Sequence, residues 1–256
     1  MSQPEPEPTD APAYPQAIHL RPTAALAERV LLPGDPGRAL ALAQTLLVKP
    51  LMFNHHRGLW GYTGSTRADG ELLTIQSTGM GGPSAAIVLT ELIALGARRA
   101  IRIGTCGALA PGLSLGDLLV ARESICGDGT SQALGTDQRV AADPTLAEAL
   151  LRAGRTQVDS STRRRVHSGA VVSVDLFYDE HRAPAHPADA LAIEMEAAAL
   201  FAVGIAASVP VACALVVSDT FERNDPHPPA RTRIKDDALL AAGEAMGAVA
   251  VAALPT

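Results

Sequence analysis

The chain has few cysteines, and those it has are far apart. Cys106, Cys126 and Cys213 form no Cys-x-x-Cys pair and no zinc-ligand spacing, so neither a disulfide framework nor a metal site is predicted. Basic residues are also outnumbered: 21 Lys and Arg against 27 Asp and Glu give a net charge of −6. This balance argues against a nucleic-acid-binding face. No apolar run approaches the roughly 18 residues of a membrane span, so no membrane contact is predicted.

The first 15 residues are rich in proline and glutamate and predict a disordered N-terminal tail. They lack the basic and apolar regions of a signal peptide, which favours a cytoplasmic protein. Residues 16–256 are predicted to form a single catalytic domain. The hydrophobic fraction of 47% is sufficient for one sizeable core.

Strand and helix patterns alternate along this domain, which predicts an α/β fold. We expect a mostly parallel, mixed central β-sheet flanked by α-helices on both faces. The predicted strands are residues 29–32, 60–65, 71–77, 100–103, 117–121, 168–174, 192–195 and 211–217, and the predicted helices are residues 38–47, 84–95, 196–207 and a C-terminal helix from residue 234. Ligand sites are then expected at the carboxyl ends of the strands.

Two arginines lie beside glycine-rich segments that follow or continue apolar runs. Arg38 ends the segment Pro33-Gly34-Asp35-Pro36-Gly37-Arg38, and Arg102 begins Arg102-Ile103-Gly104-Thr105-Cys106-Gly107. A guanidinium beside closely approaching backbone amides suits a small tetrahedral anion such as phosphate. The alternative for either segment alone is an ordinary glycine-rich turn after a strand. Two such segments in one domain favour a phosphate-using enzyme.

Acidic residues lie at the ends of two further predicted strands. Glu194 and Glu196 flank Met195, and paired carboxylates can accept hydrogen bonds from the vicinal hydroxyls of ribose. The alternative is favourable acids in the first turn of a helix. Asp219 follows Ser218 and is a candidate general acid; the alternative is an aspartate that caps the next turn.

Aromatic residues make up only 3% of the chain, yet Phe177 and Tyr178 are adjacent after a predicted strand. Such a pair could hold a flat base between its rings, or could simply pack at the sheet edge. No Gly-x-Gly-x-x-Gly pattern follows a strand, so no dinucleotide cofactor is predicted. The expected small molecule is inorganic phosphate.

As a set, these segments resemble the trimeric or hexameric nucleoside phosphorylases, the purine nucleoside and uridine phosphorylase family. The resemblance covers residues 19–253. It is carried by residues 33–38, Arg57-Gly58, Thr78-Gly79-Met80-Gly81, residues 102–107, Asp175-Leu176-Phe177-Tyr178, Glu194-Met195-Glu196 and Val217-Ser218-Asp219.

The resemblance implies a role for each matched residue. Phosphate would be bound by Gly34, Arg38, Arg102 and Thr105, and by Arg57 of a neighbouring subunit. Ribose would be bound by Met195 and Glu196, with His19 crossing the subunit interface to the 5′-hydroxyl. The base pocket would be formed by Cys106, Gly107, Phe177, Tyr178, Glu194 and Ser218. Asp219 would donate a proton to purine N7, helped by Arg231 or Arg233, with Arg223 a third option. A homo-oligomer of dimers, a hexamer, is implied.

The implied activity is reversible phosphorolysis of purine nucleosides or deoxynucleosides to free base and a pentose 1-phosphate. Uridine phosphorylases of the family carry a Gln-x-Arg pair after the aromatic segment, and this chain does not. They also lack the acid found here at Asp219, so purine is favoured. The alternatives are a uridine phosphorylase, a nucleoside hydrolase of the same fold, and a non-catalytic nucleoside-binding protein.

Overall fold

The computed structural model describes residues 17–157, 164–178, 187, 189–221 and 231–254. The tail predicted for residues 1–15 lies outside the described residues. So do Arg223 and most of the proline-rich loop at residues 221–230.

Strands and helices alternate along the described chain. The strands are β1 (Arg29–Pro33), β2 (Leu47–Asn54), β3 (Gly61–Thr66), β4 (Leu72–Gln76), β5 (Arg99–Ala108), β6 (Leu118–Gly127), β7 (Arg139–Ala141), β8 (Val166–Val174), β9 (Ala190–Glu194), β10 (Val211–Phe221) and β11 (Arg231–Arg233). The helices are α1 (Pro36–Leu46), α2 (Gly82–Leu95), α3 (Gly129–Ala133), α4 (Pro144–Gln157), α5 (Ala197–Ala206) and α6 (Asp236–Ala253), with a short 3₁₀ turn at His56–Gly58.

All described strands belong to one sheet, in the order β11-β10-β6-β8-β9-β5-β1-β4-β3-β2, with β7 beside β6. A further pairing of β10 with β5 closes five of these strands into a ring. The predicted single α/β domain with a mixed sheet is confirmed. Within the described residues, five strand pairings are parallel and six are antiparallel. The sheet is therefore mixed, with a smaller share of parallel pairings than the expected mostly parallel sheet.

The parallel strands β4, β1, β5 and β10 are neighbours, so their carboxyl ends meet at one edge. The loops that follow β1 and β4 touch there: the Gly79 N–H donates to the Gly34 carbonyl at 3.0 Å. Helix α5 is apolar on all sides, and its residues 197–204 are buried, as expected for a helix enclosed in the core. The fold therefore supports a site at this edge with sheet and helix behind it.

Two strands extend further than predicted. β5 continues to Ala108, so residues 102–107 lie inside a strand and not in a turn after one. β10 continues to Phe221 and includes Ser218 and Asp219. Both extensions pair with neighbouring strands, which satisfies their backbone groups despite a glycine-rich sequence. None of the described helices combines the length and the apolar character needed to cross a membrane.

Candidate active site

Arg102 is the central cation of the site. Its side chain is 4% exposed, its Nε lies 3.2 Å from Glu194 Oε2, and its Nη2 donates to the Glu196 carboxylate. Burial opposes the charge, yet Glu196 and Glu194 together raise the pKa of Arg102 above its ordinary value. Among the described residues, its buried Nη1 has no hydrogen-bond partner. The buried Nε likewise has no aligned hydrogen bond within the described chain, so its contact with Glu194 is an ion pair. Arg102 is thus a permanent cation, and Nη1 is available to a ligand.

Gly104 makes room for this guanidinium. A Cβ atom added at Gly104 would lie 2.7 Å from Arg102 Nη2 and 3.0 Å from a methyl carbon of Leu215. The glycine was expected to let backbone approach a ligand. In the structure it lets the Arg102 side chain fold back over its own strand.

Glu194 lies beneath the surface, with no side-chain exposure. Its carboxylate accepts hydrogen bonds from the Glu196 N–H at 2.9 Å, from the Ala197 N–H at 3.0 Å and from the Ser173 hydroxyl. Burial raises the pKa of Glu194, and Arg102 opposes that rise. The amides that Glu194 accepts from belong to the first residues of α5. Glu194 therefore matches the alternative interpretation of the sequence, an acidic residue at the N-terminus of a helix.

Glu196 occupies a different environment two residues later. One carboxylate oxygen is paired with Arg102, and the other accepts the Gly81 N–H at 2.6 Å. Gly81 has a φ of 85°, which favours glycine. Met195, between the two acids, is half-buried. Glu196 therefore joins the glycine loop after β4 to Arg102.

The remaining candidate phosphate residues of this subunit lie on neighbouring elements. A Cβ at Gly34 would lie 3.2 Å from the Gly79 carbonyl oxygen, so the close approach of these loops needs a glycine. Arg38 lies in the first turn of α1, where Asp35 caps the helix by accepting the Arg38 N–H at 2.7 Å. Burial lowers the pKa of Arg38; Asp35 opposes this, and Arg102 adds to it. Thr105 is half-buried on β5.

The two residues expected to act in a neighbouring subunit lie close to each other. Arg57 is exposed in the 3₁₀ turn with a φ of 59°. The adjacent His56 has its Nδ1 3.0 Å from the His19 carbonyl oxygen. His19 Nδ1 itself lies 2.6 Å from Oε1 of the buried Glu91 on α2. His19 and Arg57 thus share one surface of the subunit.

Glu91 anchors this N-terminal segment. Its carboxylate accepts the backbone N–H groups of Ile18, His19 and Leu20 at 2.7–3.1 Å. Burial opposes ionisation, but the hydrogen bonds, that of Leu20 first, lower the pKa of Glu91. Sequence reasoning missed this residue, because a glutamate within an apolar helix gives no sign of its distant partner.

Asp219 is placed by a β-bulge. The pairing of β10 with β5 shifts between Val217 and Asp219, so Ser218 is the extra residue. Ser218 Oγ lies 2.7 Å from Asp219 Oδ2 and 3.3 Å from the Cys106 carbonyl oxygen. Asp219 is 6% exposed, and its backbone neighbour on β5 is Gly107. The bulge therefore pairs a buried aspartate with Gly107, near the carboxyl end of the strand that carries Arg102.

The two candidate arginines near Asp219 have different neighbours. Arg233 Nε lies 3.2 Å from Asp219 Oδ1, whereas the Arg231 guanidinium lies 4.6 Å from the centre of the Phe177 ring. The Phe177 and Tyr178 rings meet edge to face, 4.9 Å apart at 79°, so they do not form two parallel walls. Buried Cys106 lies on β5, where burial raises the pKa of its thiol.

Ser173 is a second residue that the sequence analysis missed. Its hydroxyl contacts Glu194 and accepts the Ala198 N–H at 2.9 Å, and a serine inside a strand gives no functional signal. Over the described residues, no group of three or more His, Cys, Asp or Glu side chains is arranged to hold a metal ion.

A mixed α/β sheet with a buried arginine–carboxylate centre at one edge characterises this domain. Its sequence matches the family model described as the phosphorylase superfamily over residues 28–254. The chain belongs to that family.

Three curated relatives have the same printed name, "Purine nucleoside phosphorylase DeoD-type". The protein of Oceanobacillus iheyensis is 35% identical over 76% of this chain and 83% of its own length. That of Clostridium beijerinckii is 35% identical over 80% and 86%. That of Geobacillus kaustophilus is 35% identical over 77% and 83%.

Proposed function

We propose that this protein is a pentosyltransferase that catalyses reversible phosphorolysis of purine nucleosides, with inorganic phosphate as co-substrate and no cofactor. The proposal is carried by one observation about Asp219. Its buried side chain contacts Arg233, and its strand β10 pairs with β5, the strand that carries Arg102. In its protonated form Asp219 is a proton donor for the base, Arg233 is placed to stabilise the carboxylate that forms, and Arg102 offers a cation for phosphate within the same site. The names of the curated relatives support the same activity.

In this proposal, the phosphate dianion binds at the Arg102 guanidinium, with Arg38, Gly34 and Thr105 around it. Nη1 of Arg102 is buried and has no hydrogen-bond partner within the described chain, so it can donate to a phosphate oxygen. The positive charge of Arg102 repels that of Arg38 and so contributes to the lowered pKa of Arg38. An anion bound between the two side chains relieves this repulsion. Arg57 from a neighbouring subunit completes the set.

The ribose hydroxyls are assigned to Glu196, with Met195 against the sugar and His19 of a neighbouring subunit at the 5′-hydroxyl. The base is assigned to Cys106, Gly107, Phe177, Tyr178 and Ser218. A phosphate oxygen attacks C1′ as the glycosidic bond breaks, and the bonding electrons go to the purine. Asp219 gives its proton to N7 of the leaving base, and Arg233 stabilises the resulting carboxylate.

We also propose that the protein is a homo-oligomer of dimers with shared sites. Edge strand β2 has exposed apolar side chains, with Leu51 65%, Val48 45% and Met52 39% exposed. Such a surface is typical of a protein interface, and it adjoins His19 and Arg57. The hexamer and the cytoplasmic location stay predictions.

The test is base release from adenosine, inosine, guanosine and uridine, each with and without inorganic phosphate. The proposal predicts release from purine nucleosides only, and only with phosphate. Phosphate-independent release would identify a hydrolase. Release from uridine would show that Asp219 does not select the base. Nucleoside binding with no release under any condition would identify a binding protein.

A further inference from the structure

Glu194 is the most fully engaged side chain of the site. Its two oxygens receive the Glu196 and Ala197 amides, the Ser173 hydroxyl and the Arg102 guanidinium. Every one of these groups belongs to the protein itself. The two amides and the serine hydroxyl are hydrogen-bond donors, whereas Nε of Arg102 makes an ion contact at 3.2 Å without an aligned hydrogen bond. The Glu194 side chain has no exposed surface, so a ligand donor could reach it only by displacing one of these groups.

We propose that Glu194 is a positioning residue for phosphate binding, which fixes the Arg102 guanidinium against the N-terminus of α5, and that it makes no contact with the base. Glu194 acts on Arg102 at Nε, while Nη1 on the same planar group has no partner among the described residues. Because a guanidinium is planar, fixing Nε fixes the direction in which Nη1 points. This inference rests on the proposed function for its kinetic meaning, but phosphate binding tests it without turnover.

The positioning extends outward through Ser173. Its hydroxyl contacts the Glu194 carboxylate, accepts the Ala198 N–H at 2.9 Å and lies 2.8 Å from the hydroxyl of Ser124 on β6. Both serines are buried, with 0% exposure. A buried hydrogen-bond network of this kind holds each member in one orientation. Ser173 therefore affects phosphate binding although it reaches no ligand.

Gly104 lies on the other side of the same guanidinium. Because it has no side chain, it leaves the space in which Nη2 lies when it donates to Glu196. Arg102 is thus enclosed by a glycine on its own strand and by carboxylates from the segment after β9. Part of the orientation of Arg102 is therefore set by Gly104 and Glu194, neither of which reaches a ligand in this proposal.

The experiment compares Ser173→Ala and Glu194→Gln with the wild type by calorimetry, titrating inorganic phosphate alone and then inosine alone. We expect the phosphate Kd to rise about tenfold in both variants, as for loss of a hydrogen bond to a buried charged group. The inosine Kd should change by less than about twofold, because neither side chain reaches the nucleoside. The KM values for phosphate and nucleoside should separate in the same way.

Ser168→Ala is the matched control. Ser168 lies on the same strand, and its hydroxyl accepts a hydrogen bond from the exposed Arg122 at 2.9 Å. It should leave both Kd values unchanged. If Glu194→Gln does not fold, Ser173→Ala carries the test, and Ser173→Thr, which restores a hydroxyl, should recover phosphate affinity.

A raised inosine Kd with an unchanged phosphate Kd would overturn the inference and return Glu194 to the base pocket. Equal rises for both ligands, or no change in either, would overturn it as well. If wild-type base release proves independent of phosphate, the proposed function fails, while the calorimetric comparison still decides the role of Glu194. A wild type that does not bind inorganic phosphate would contradict both.

Discussion

Asp219 and Arg233 are register partners on the antiparallel strands β10 and β11, and Arg233 Nε lies 3.2 Å from Asp219 Oδ1. The aspartate is nearly buried, whereas the arginine side chain is 70% exposed. The same Asp219 oxygen has no aligned hydrogen bond within the described chain. The contact is therefore of moderate geometry; in the proposed mechanism Asp219 carries a proton until the base leaves, and the contact with Arg233 becomes an ion pair once that proton has passed to the base.

Removing Arg233 should slow the chemical step. Arg233→Ala should lower kcat by roughly tenfold or more, since it removes a charge partner of the general acid. Arg231→Ala is the matched control, because Arg231 lies over Phe177 and two residues from Arg233. It should alter mainly the KM for nucleoside. The reverse pattern in steady-state kinetics would assign the role to Arg231.

Replacing Asp219 should affect poor leaving groups most. Asp219→Ala should reduce kcat/KM for inosine by about 100-fold, within the range for general acid catalysis. A nucleoside whose base leaves readily without protonation should lose much less. The comparison is made with both substrates on the same preparation. Equal losses would contradict a proton-donor role for Asp219.

Arg102 should govern phosphate more than nucleoside. Arg102→Ala should raise the phosphate KM by roughly 100-fold, because it removes a buried cation and leaves two carboxylates without their partner. Arg102→Lys keeps the charge but loses the planar guanidinium, so its phosphate KM should lie between those of the wild type and Arg102→Ala. Thermal unfolding of each variant controls for loss of the fold. Equal effects on phosphate and nucleoside KM would contradict the assignment.

Shared sites can be tested by mixing subunits. His19→Ala and Asp219→Ala should each have strongly reduced activity on inosine when assayed alone, if His19 acts on a neighbouring subunit's ribose. Refolding the two together should restore part of the activity, since some sites would then combine an intact His19 with an intact Asp219. Mass spectrometry of the native assembly verifies that mixing occurred. Verified mixing without recovered activity would place both residues in one subunit's site.

The Arg29–Asp69 pair predicts a pH dependence of stability. Arg29 is 4% exposed and contacts both Asp69 oxygens at 2.7 Å, and this hydrogen bonding lowers the pKa of Asp69 below its ordinary value. The stabilisation is present above the unfolded pKa, about 4, and is lost as the pH falls through the folded value. Tm should therefore fall on acidification, and less steeply in Asp69→Asn. Asp137→Asn, at an exposed position, should follow the wild type.

The sequence predicted the fold well where apolar runs were long. The strand beginning at residue 29 and the helix ending before Gly96 both match, and Gly96 takes the left-handed conformation expected at a helix end. Strands β2, β7 and β11 and helices α3 and α4 were not predicted. The strands β7 and β11 have only three residues each, too few for a period to be detected. The extensions of β5 and β10 depend on pairing with distant strands, which local pattern does not show.

The sequence predicted which residues form the candidate site better than it predicted which of them contact one another. Spacing could not choose between Arg231 and Arg233, because that choice depends on the register of β11 against β10. Glu194 and Glu196 are one acidic pair in the sequence. In the structure both contact Arg102, but Glu194 otherwise accepts from the start of α5 and from Ser173, and Glu196 from Gly81. Ser173 lies on β8, 21 residues before Glu194, and local sequence does not show that such distant residues meet.

Phosphorus NMR of a reaction containing inosine and inorganic phosphate tests the central proposal most directly. Phosphorolysis predicts that a sugar 1-phosphate signal grows at the same rate as free hypoxanthine, while the inorganic phosphate signal falls by an equal amount. Hypoxanthine released with free ribose and an unchanged phosphate signal would contradict the proposal.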